Sequence, residues 1–282
     1  MPIRLDPVQR EHNATTDDHN SSPNDEFHRI VAVTDAKRKA EHALESVKRV
    51  IAIHSGKGGV GKTFLTCNLA YALAELHGLS IGILDADVDC PNVPKFLGLQ
   101  RQLFVQDKKF QPVTHRGVRI VSTGFIKQDE KEPLLLRGPA KHRIAIDLLA
   151  NTEWDALDIL LVDLPPGTSD VPMSLLEFGE LDGVMFITSP QKEAIIDTKK
   201  SIAMVKQFGI HCLGLVENMS DSLFGKDKGL AIAEEMGIPY LGSIPLSQEI
   251  FECNERGEIA FLLPGMEEAV RPIIDAVKGE EP

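Results

Sequence analysis

The stretch "HSGKGGVGKT", His54 to Thr63, decides how the rest of the chain is read. It satisfies the spacing G-x-x-x-x-G-K-[ST] at Gly56, Gly61, Lys62 and Thr63, between an apolar run (49–54) and a helical pattern (64–77). A strand, a glycine-rich turn and a helix in that order form the context in which this spacing carries chemistry. Glycines let the backbone curl round a phosphate without Cβ clashes. The amides from Gly56 through Lys57, Gly58, Gly59, Val60, Gly61, Lys62 and Thr63 then face the anion, helped by the helix N-terminus. Lys62 is expected to reach the β- and γ-phosphates and Thr63 to ligate Mg²⁺. A second lysine, Lys57, lies too early in the loop to duplicate Lys62.

Outward from this loop, short continuous apolar runs alternate with amphipathic ones. "RVIAIH" (49–54), "SIGILD" (80–85), "VRIVST" (118–123), "DILLVD" (158–163), "GVMFIT" (183–188), "HCLGLV" (211–216) and "YLGSI" (240–244) read as strands buried on both faces. Helical patterns at 64–77, 140–150, 193–207 and 228–236 separate most of them. The alternation predicts an α/β fold, a doubly wound and mostly parallel sheet with helices on both faces. Its ligand belongs at the C-terminal ends of the strands. Residues 1–26 are polar and predicted to be a disordered arm. Residues 27–48 read as a helix or linker, and 49–280 as the folded domain.

Composition narrows the function classes. The 282 residues carry 43% hydrophobic and 26% charged residues and a formal net charge of −12. That acidity disfavours nucleic acid and anionic lipid as partners. No run of about 18 apolar residues suggests a membrane span, and the N-terminus lacks the apolar core of a secretory signal. Four scattered cysteines form no disulfide framework, so a reducing cytoplasm is the expected compartment.

Two further motifs supply acids. "ILDADVDCPNVP" (83–94) places Asp85 and Asp87 at and just beyond a strand end, where paired carboxylates can hold Mg²⁺ or orient an attacking water. "ILLVDLPPGTSD" (159–170) ends an apolar strand on Asp163, an acid placed to reach Mg²⁺. The turn after it, Pro165, Pro166 and Gly167, offers a Gly N–H that could sense a γ-phosphate, as switches do. A rival reading exists, because Gly56, Gly58 and Gly61 also spell G-x-G-x-x-G, with Asp85 as the ribose-binding acid. The Lys62–Thr63 pair has no part in such a dinucleotide site.

Together these residues resemble the Mrp/ApbC family of P-loop ATPases, within the deviant Walker A group that also holds MinD and ParA. The resemblance rests on "SGKGGVGKT" (55–63), "DADVDCPNVP" (85–94), "LLLRGP" (134–139), "EWDALDILLVDLPPGTSD" (153–170), "VENMS" (216–220) and "YLGSIPLSQEI" (240–250). It covers about residues 48–280. It implies ATP with Mg²⁺ as cofactors and a nucleotide-switched homodimer. It makes Lys57 the signature lysine that crosses to the partner's nucleotide, Asp87 the switch I acid that positions water, and Asp163, Pro166 and Gly167 switch II. Asn218 becomes the adenine-reading residue, with Pro245 near the base. An amide suits that task because it can both donate and accept.

The resemblance also implies a role in iron–sulfur cluster carriage, with apo iron–sulfur proteins or another protein as clients. Family members that carry a [4Fe–4S] cluster usually place a C-x-x-C shortly after "VENMS", and two subunits then supply four thiolates. Here the segment reads "NMSDSLFGKDKG" and has no cysteine. Cys67 and Cys212 fall in core patterns. Cys90, in the switch I loop, and Cys253, near the C-terminal helices, are the candidate exposed thiols. The alternative is an ATPase switch that carries no cluster and regulates a protein partner. A MinD-like membrane role would need a basic amphipathic C-terminal helix, and this chain ends in the acidic "GMEEAVRPIIDAVKGEEP".

Overall fold

The computed structural model describes residues 34–35, 37–126, 138–220 and 227–279. The predicted arm (1–26), the start of the 27–48 segment, residues 134–137 of "LLLRGP" and residues 221–226 lie outside these. The chain divides into two units, Met1–Asp35 and Ala36–Pro282, and the second carries every element named below.

A short helix over 37–44, α1, buries Ala40 and Leu44. Then come β1 (Val50–His54), α2 (Lys62–His77), β2 (Ile81–Asp85), α3 (Val93–Phe96), β3 (Phe104–Gln106), β4 (Lys109–Gln111), β5 (Val113–His115) and β6 (Val118–Ser122). The second half holds α4 (Gly138–Ala150), β7 (Ile159–Asp163), α5 (Asp170–Phe178), β8 (Gly183–Thr188), α6 (Lys192–Gln207) and β9 (Cys212–Ser220). It closes with α7 (Lys228–Met236), β10 (Tyr240–Pro245), α8 (Gln248–Glu255) and α9 (Glu267–Lys278). Eight strands form one sheet in the order β10-β9-β8-β1-β7-β2-β6-β5, parallel except for the edge pair β5–β6. All seven apolar runs are strands of this sheet.

Period-two alternation along the strands builds two cores. Ile51 and Ile53 of β1 face a layer formed by α2, α8 and α9, whereas Val50 and Ala52 face α1, α4, α5, α6 and α7. The apolar side of α9 (Val270, Ile273, Ile274, Val277) is spent in the first core rather than offered to a membrane. No described helix is long and apolar enough to cross a membrane. Three strands carry no periodic apolar signal because each is only three residues long and none has a fully buried residue. They are β3 and β4, which form a separate hairpin, and β5. The hairpin turns at Asp107 and Lys108, both in the left-handed region (φ 50° and 64°), where Asn-Gly is the usual signature.

The sheet order sets where a ligand can sit. β1 lies near the middle, flanked by β7 and β8, so the loop leaving β1 has β7 and β2 on one side and β8, β9 and β10 on the other. α6 lies hard against that loop. A Cβ built on Gly56 would stand 2.1 Å from the Asp197 carbonyl carbon and 2.3 Å from the Thr198 nitrogen. Backbone cannot yield as a side chain can, so only glycine fits there. Gly56→Ala is therefore expected to lower unfolding free energy by about 1–3 kcal/mol through overpacking. A urea-denaturation midpoint equal to wild type would contradict this close approach.

Candidate functional site

The 55–61 turn joins β1 to α2, and two of its glycines, Gly59 (φ 81°) and Gly61 (φ 101°), take backbone angles that other residues rarely adopt. Gly61 also lies beneath Asn218, whose Nδ2 a Cβ would meet at 2.2 Å. Lys62, the first residue of α2, is 9% exposed, and Thr63 follows it at the floor of a cleft of about 910 Å³. Gly58, Asp87, Pro165 and Pro166 also line that cleft, and α3 and α8 close its far side through Lys95 and Asn254.

Strand register aligns the acids. Asp163 on β7 pairs with Ile53 on β1 and with Asp85 on β2, and Asp85 pairs in turn with Ser122 on β6. The C-terminal edge of the sheet thus carries Ser122, Asp85 and Asp163 side by side. The Thr63 hydroxyl donates to Asp163 Oδ2 at 2.7 Å, tying the first turn of α2 to the end of β7. Thr66, one turn on, reaches Asp163 Oδ1 at 3.3 Å while also bonding the Lys62 carbonyl. Thr66 went unmarked in the sequence, where its signal is a second hydroxyl three residues beyond Thr63 on the same helix face.

The two aspartates of the 83–94 motif are not equivalent. Asp85 is fully buried, and its Oδ2 accepts from the Ser122 hydroxyl (2.8 Å) and the Val93 N–H (3.2 Å). Burial, then the neighbouring Asp163 charge, push its carboxyl up to about 8. So placed, Asp85 closes the 86–92 loop from beneath and cannot hold a ribose, which removes the dinucleotide reading. It is no cleft-facing partner of Asp87 either. Asp87 is half-buried and lines the cleft, with Oδ1 accepting from the Cys90 N–H at 3.1 Å. Burial raises its carboxyl, against lowering by that N–H and by Lys62. Burial raises Asp163 too, opposed chiefly by the Lys62 charge.

Thr63, Asp87 and Asp163 offer oxygen donors alone, the ligand type Mg²⁺ takes, and a partial set of this kind rather than a full cage suits an ion that keeps water and phosphate ligands. Among the described residues no group of three or more His, Cys, Asp or Glu is arranged to hold a metal ion.

The turn after β7 rests on the P-loop: the Gly167 N–H (φ 79°) donates to the Ser55 carbonyl at 2.9 Å. Lys57 is half-buried beside this contact, its carbonyl accepting from the Ser55 hydroxyl. His54, just before the loop, is fully buried with both ring nitrogens unpartnered, and burial, then the Lys62 charge, lower it to about 3. It stays neutral and packs edge-on against Phe186.

Asn218 and Pro245 lie on neighbouring strands of the opposite flank, where Ile244 pairs with Asn218 and Pro245 with Ser220. Asn218 is 5% exposed and its Nδ2 donates to the Val60 carbonyl at 2.9 Å. This pair borders the P-loop but does not line the 910 Å³ cleft. Glu217, also unmarked in the sequence, is fully buried and accepts from the Gly229 N–H at the start of α7.

Of the candidate thiols, only Cys90 is exposed, and it lines the cleft. Cys253, expected at the surface, is 1% exposed because α8 turns it into the core shared with α2 and α9. Burial raises its thiol. Cys67 and Cys212 are buried, as their patterns imply.

Known proteins resemble this chain along most of its length. A profile of the ParA family, described as NUBPL iron-transfer P-loop NTPase, matches residues 46–278. An iron–sulfur cluster carrier protein of Aquifex aeolicus is 41% identical over 227 residues, 76% of this chain and 62% of the relative, so the chain spans less than two thirds of that protein. One of Methanocaldococcus jannaschii is 35% identical over 271 residues, covering 90% of this chain and 92% of the relative. Among solved structures, the nucleotide-binding protein of Archaeoglobus fulgidus in complex with ADP superposes with a TM-score of 0.69 at 31% identity, covering 82% of this chain and 96% of that one. The Pyrococcus furiosus cell division ATPase MinD, at 24% identity, TM-score 0.62 and coverage of 82% and 99%, shares the fold. The chain therefore belongs to the ParA/NUBPL iron-transfer family of P-loop NTPases.

Proposed function

We propose that this chain binds and hydrolyses ATP as a nucleotide-switched homodimer and serves in iron–sulfur cluster carriage or assembly. The observation that carries the ATPase reading is the Thr63–Asp163 hydrogen bond at the floor of the P-loop cleft, with Asp87 on the wall above. The ADP-bound relative and the carrier names of the curated relatives support the nucleotide and the cargo.

In this mechanism the P-loop amides and Lys62 hold the phosphate chain, and Asn218 and Pro245 hold the base. Thr63 and Asp163, with Asp87, would hold Mg²⁺, which when bound neutralises charge on the phosphate oxygens. Asp87 accepts a hydrogen bond from a water and orients it in line with the γ-phosphorus. A new P–O bond forms as the bond to the β-phosphate oxygen breaks. Gly167 can turn to the γ-phosphate only by leaving the Ser55 carbonyl, so the turn has two alternative partners, the basis of a switch.

The C-terminal rim of the sheet supports the dimer. Met173, Ile196, Leu230, Leu246 and Phe251 are exposed, and they come after the ends of β7, β8, β9 and β10. A second subunit apposed to this rim would cover them and bring its Lys57 to the first subunit's phosphates. The second reading, a switch without a cluster, is favoured by the lack of any cysteine in 216–229 and by burial of Cys253.

Three outcomes are expected. Lys57→Ala should keep ATP affinity within a few-fold but lose turnover by about 10³-fold, as removal of an arginine finger does. Normal turnover by that variant would leave the second lysine without a role. Asp87→Ala should lower kcat by about 10²-fold or more in a phosphate-release assay, and full activity would remove Asp87 from the mechanism. Anaerobic reconstitution with iron and sulfide should yield a visible cluster absorbance and a cluster that passes to an apo-protein. Iron-free protein after that treatment would establish the cluster-free switch instead.

A further inference from the structure

The first turn of α4 touches both segments that flank the phosphate cleft. On one side, Lys141 Nζ lies 2.6 Å from Asp89 Oδ1 in the loop that carries Asp87. On the other, His142 Nδ1 is hydrogen-bonded to the Ser174 hydroxyl of α5, the helix that begins three residues after Gly167. Ser174 in turn bonds the Asp170 carbonyl at 2.8 Å, so His142 fixes α4 to the first turn of that helix. Between the two loops lies a smaller cleft of about 180 Å³, lined by Asp87, Asp89, Lys141, Pro165 and Asp170. Lys141 spans this cleft and brings a positive charge to the switch I loop.

From beneath, the 86–92 loop is anchored by Ala86 and Val88, both buried in the second core. Asp85 fixes its base through Val93 and Ser122, and the Asp87–Cys90 bond is internal to the loop. Its exposed outer side, at Asp89, is tied to α4 by Lys141. We propose that Lys141 is a positioning residue for ATP hydrolysis: through Asp89 it sets the switch I loop, and so Asp87, against the switch II helix that His142 anchors. Lys141 touches neither nucleotide nor water in this role. The inference rests on the ATPase reading of the site.

Stability and positioning can be told apart because the pair is partly exposed, with side-chain exposures of 27% and 55%. Such pairs add little to folding stability, whereas a displaced catalytic group costs rate steeply. The test is steady-state hydrolysis by the full chain with thermal unfolding alongside. Lys141→Met, which keeps the aliphatic stem, should lower kcat by about 10-fold with KM for ATP within about twofold and an unchanged unfolding midpoint. Asp89→Asn should behave the same way, and Lys141→Arg, which keeps charge and reach, should stay within about twofold of wild type. Unchanged kcat in Lys141→Met overturns the proposal. So does a kcat loss matched by a lower unfolding midpoint, or by an equal loss in Lys141→Arg. Failure of the wild-type chain to hydrolyse ATP would overturn the ATPase reading and this inference together, whereas wild-type hydrolysis with an unaffected Lys141→Met removes this inference alone.

Discussion

Two carboxyl groups buried side by side at the C-terminal edge of a parallel sheet organise this protein. Asp85 and Asp163 are register partners on β2 and β7, and each is removed from water. A polar group in such a place is costly unless it is hydrogen-bonded. The structure supplies different donors to each. Asp85 receives Ser122 and the Val93 amide, while Asp163 receives Thr63 and Thr66, with the Lys62 charge nearby. The first set faces the sheet edge and holds a loop. The second set belongs to α2, and its Thr63 and Lys62 line the phosphate cleft.

That division explains how one end of the sheet does two jobs. The loop rooted by Asp85 leaves its next acid, Asp87, at the cleft wall, and Asp163 binds the P-loop helix to the strand that leads into the Gly167 turn. Of the two, the turn after Asp163 is bonded to the P-loop directly, through the Gly167 N–H and the Ser55 carbonyl. Asn218 and Pro245 are placed separately, on β9 and β10, and Asn218 is joined to the P-loop by its bond to the Val60 carbonyl.

The cargo question rests on different physics. Thiolate ligands need exposure and mutual geometry. Cys90 meets the first condition beside the cleft, and Cys253 fails it because α8 is packed apolar side down. A cluster shared across two subunits would have to draw on ligands that the family's usual segment, 216–229, does not contain.

The sequence by itself determined the fold class, the seven core strands and the P-loop, because each is written in local pattern. Continuous apolar runs mark strands buried on both faces, and the spacing of Gly56, Gly61, Lys62 and Thr63 encodes a backbone path. Only the tertiary structure decided that Asp85 turns inward while Asp87 faces the cleft, that Cys253 is core, that Gly167 rests on Ser55, and that Lys141 holds Asp89. These facts depend on strand register and on crossovers that bring together segments tens of residues apart, and no local periodicity records which side chains will meet there. The three-residue strands β3, β4 and β5 were illegible for a related reason: they bury too little apolar surface to leave a pattern, and pairing alone makes them strands.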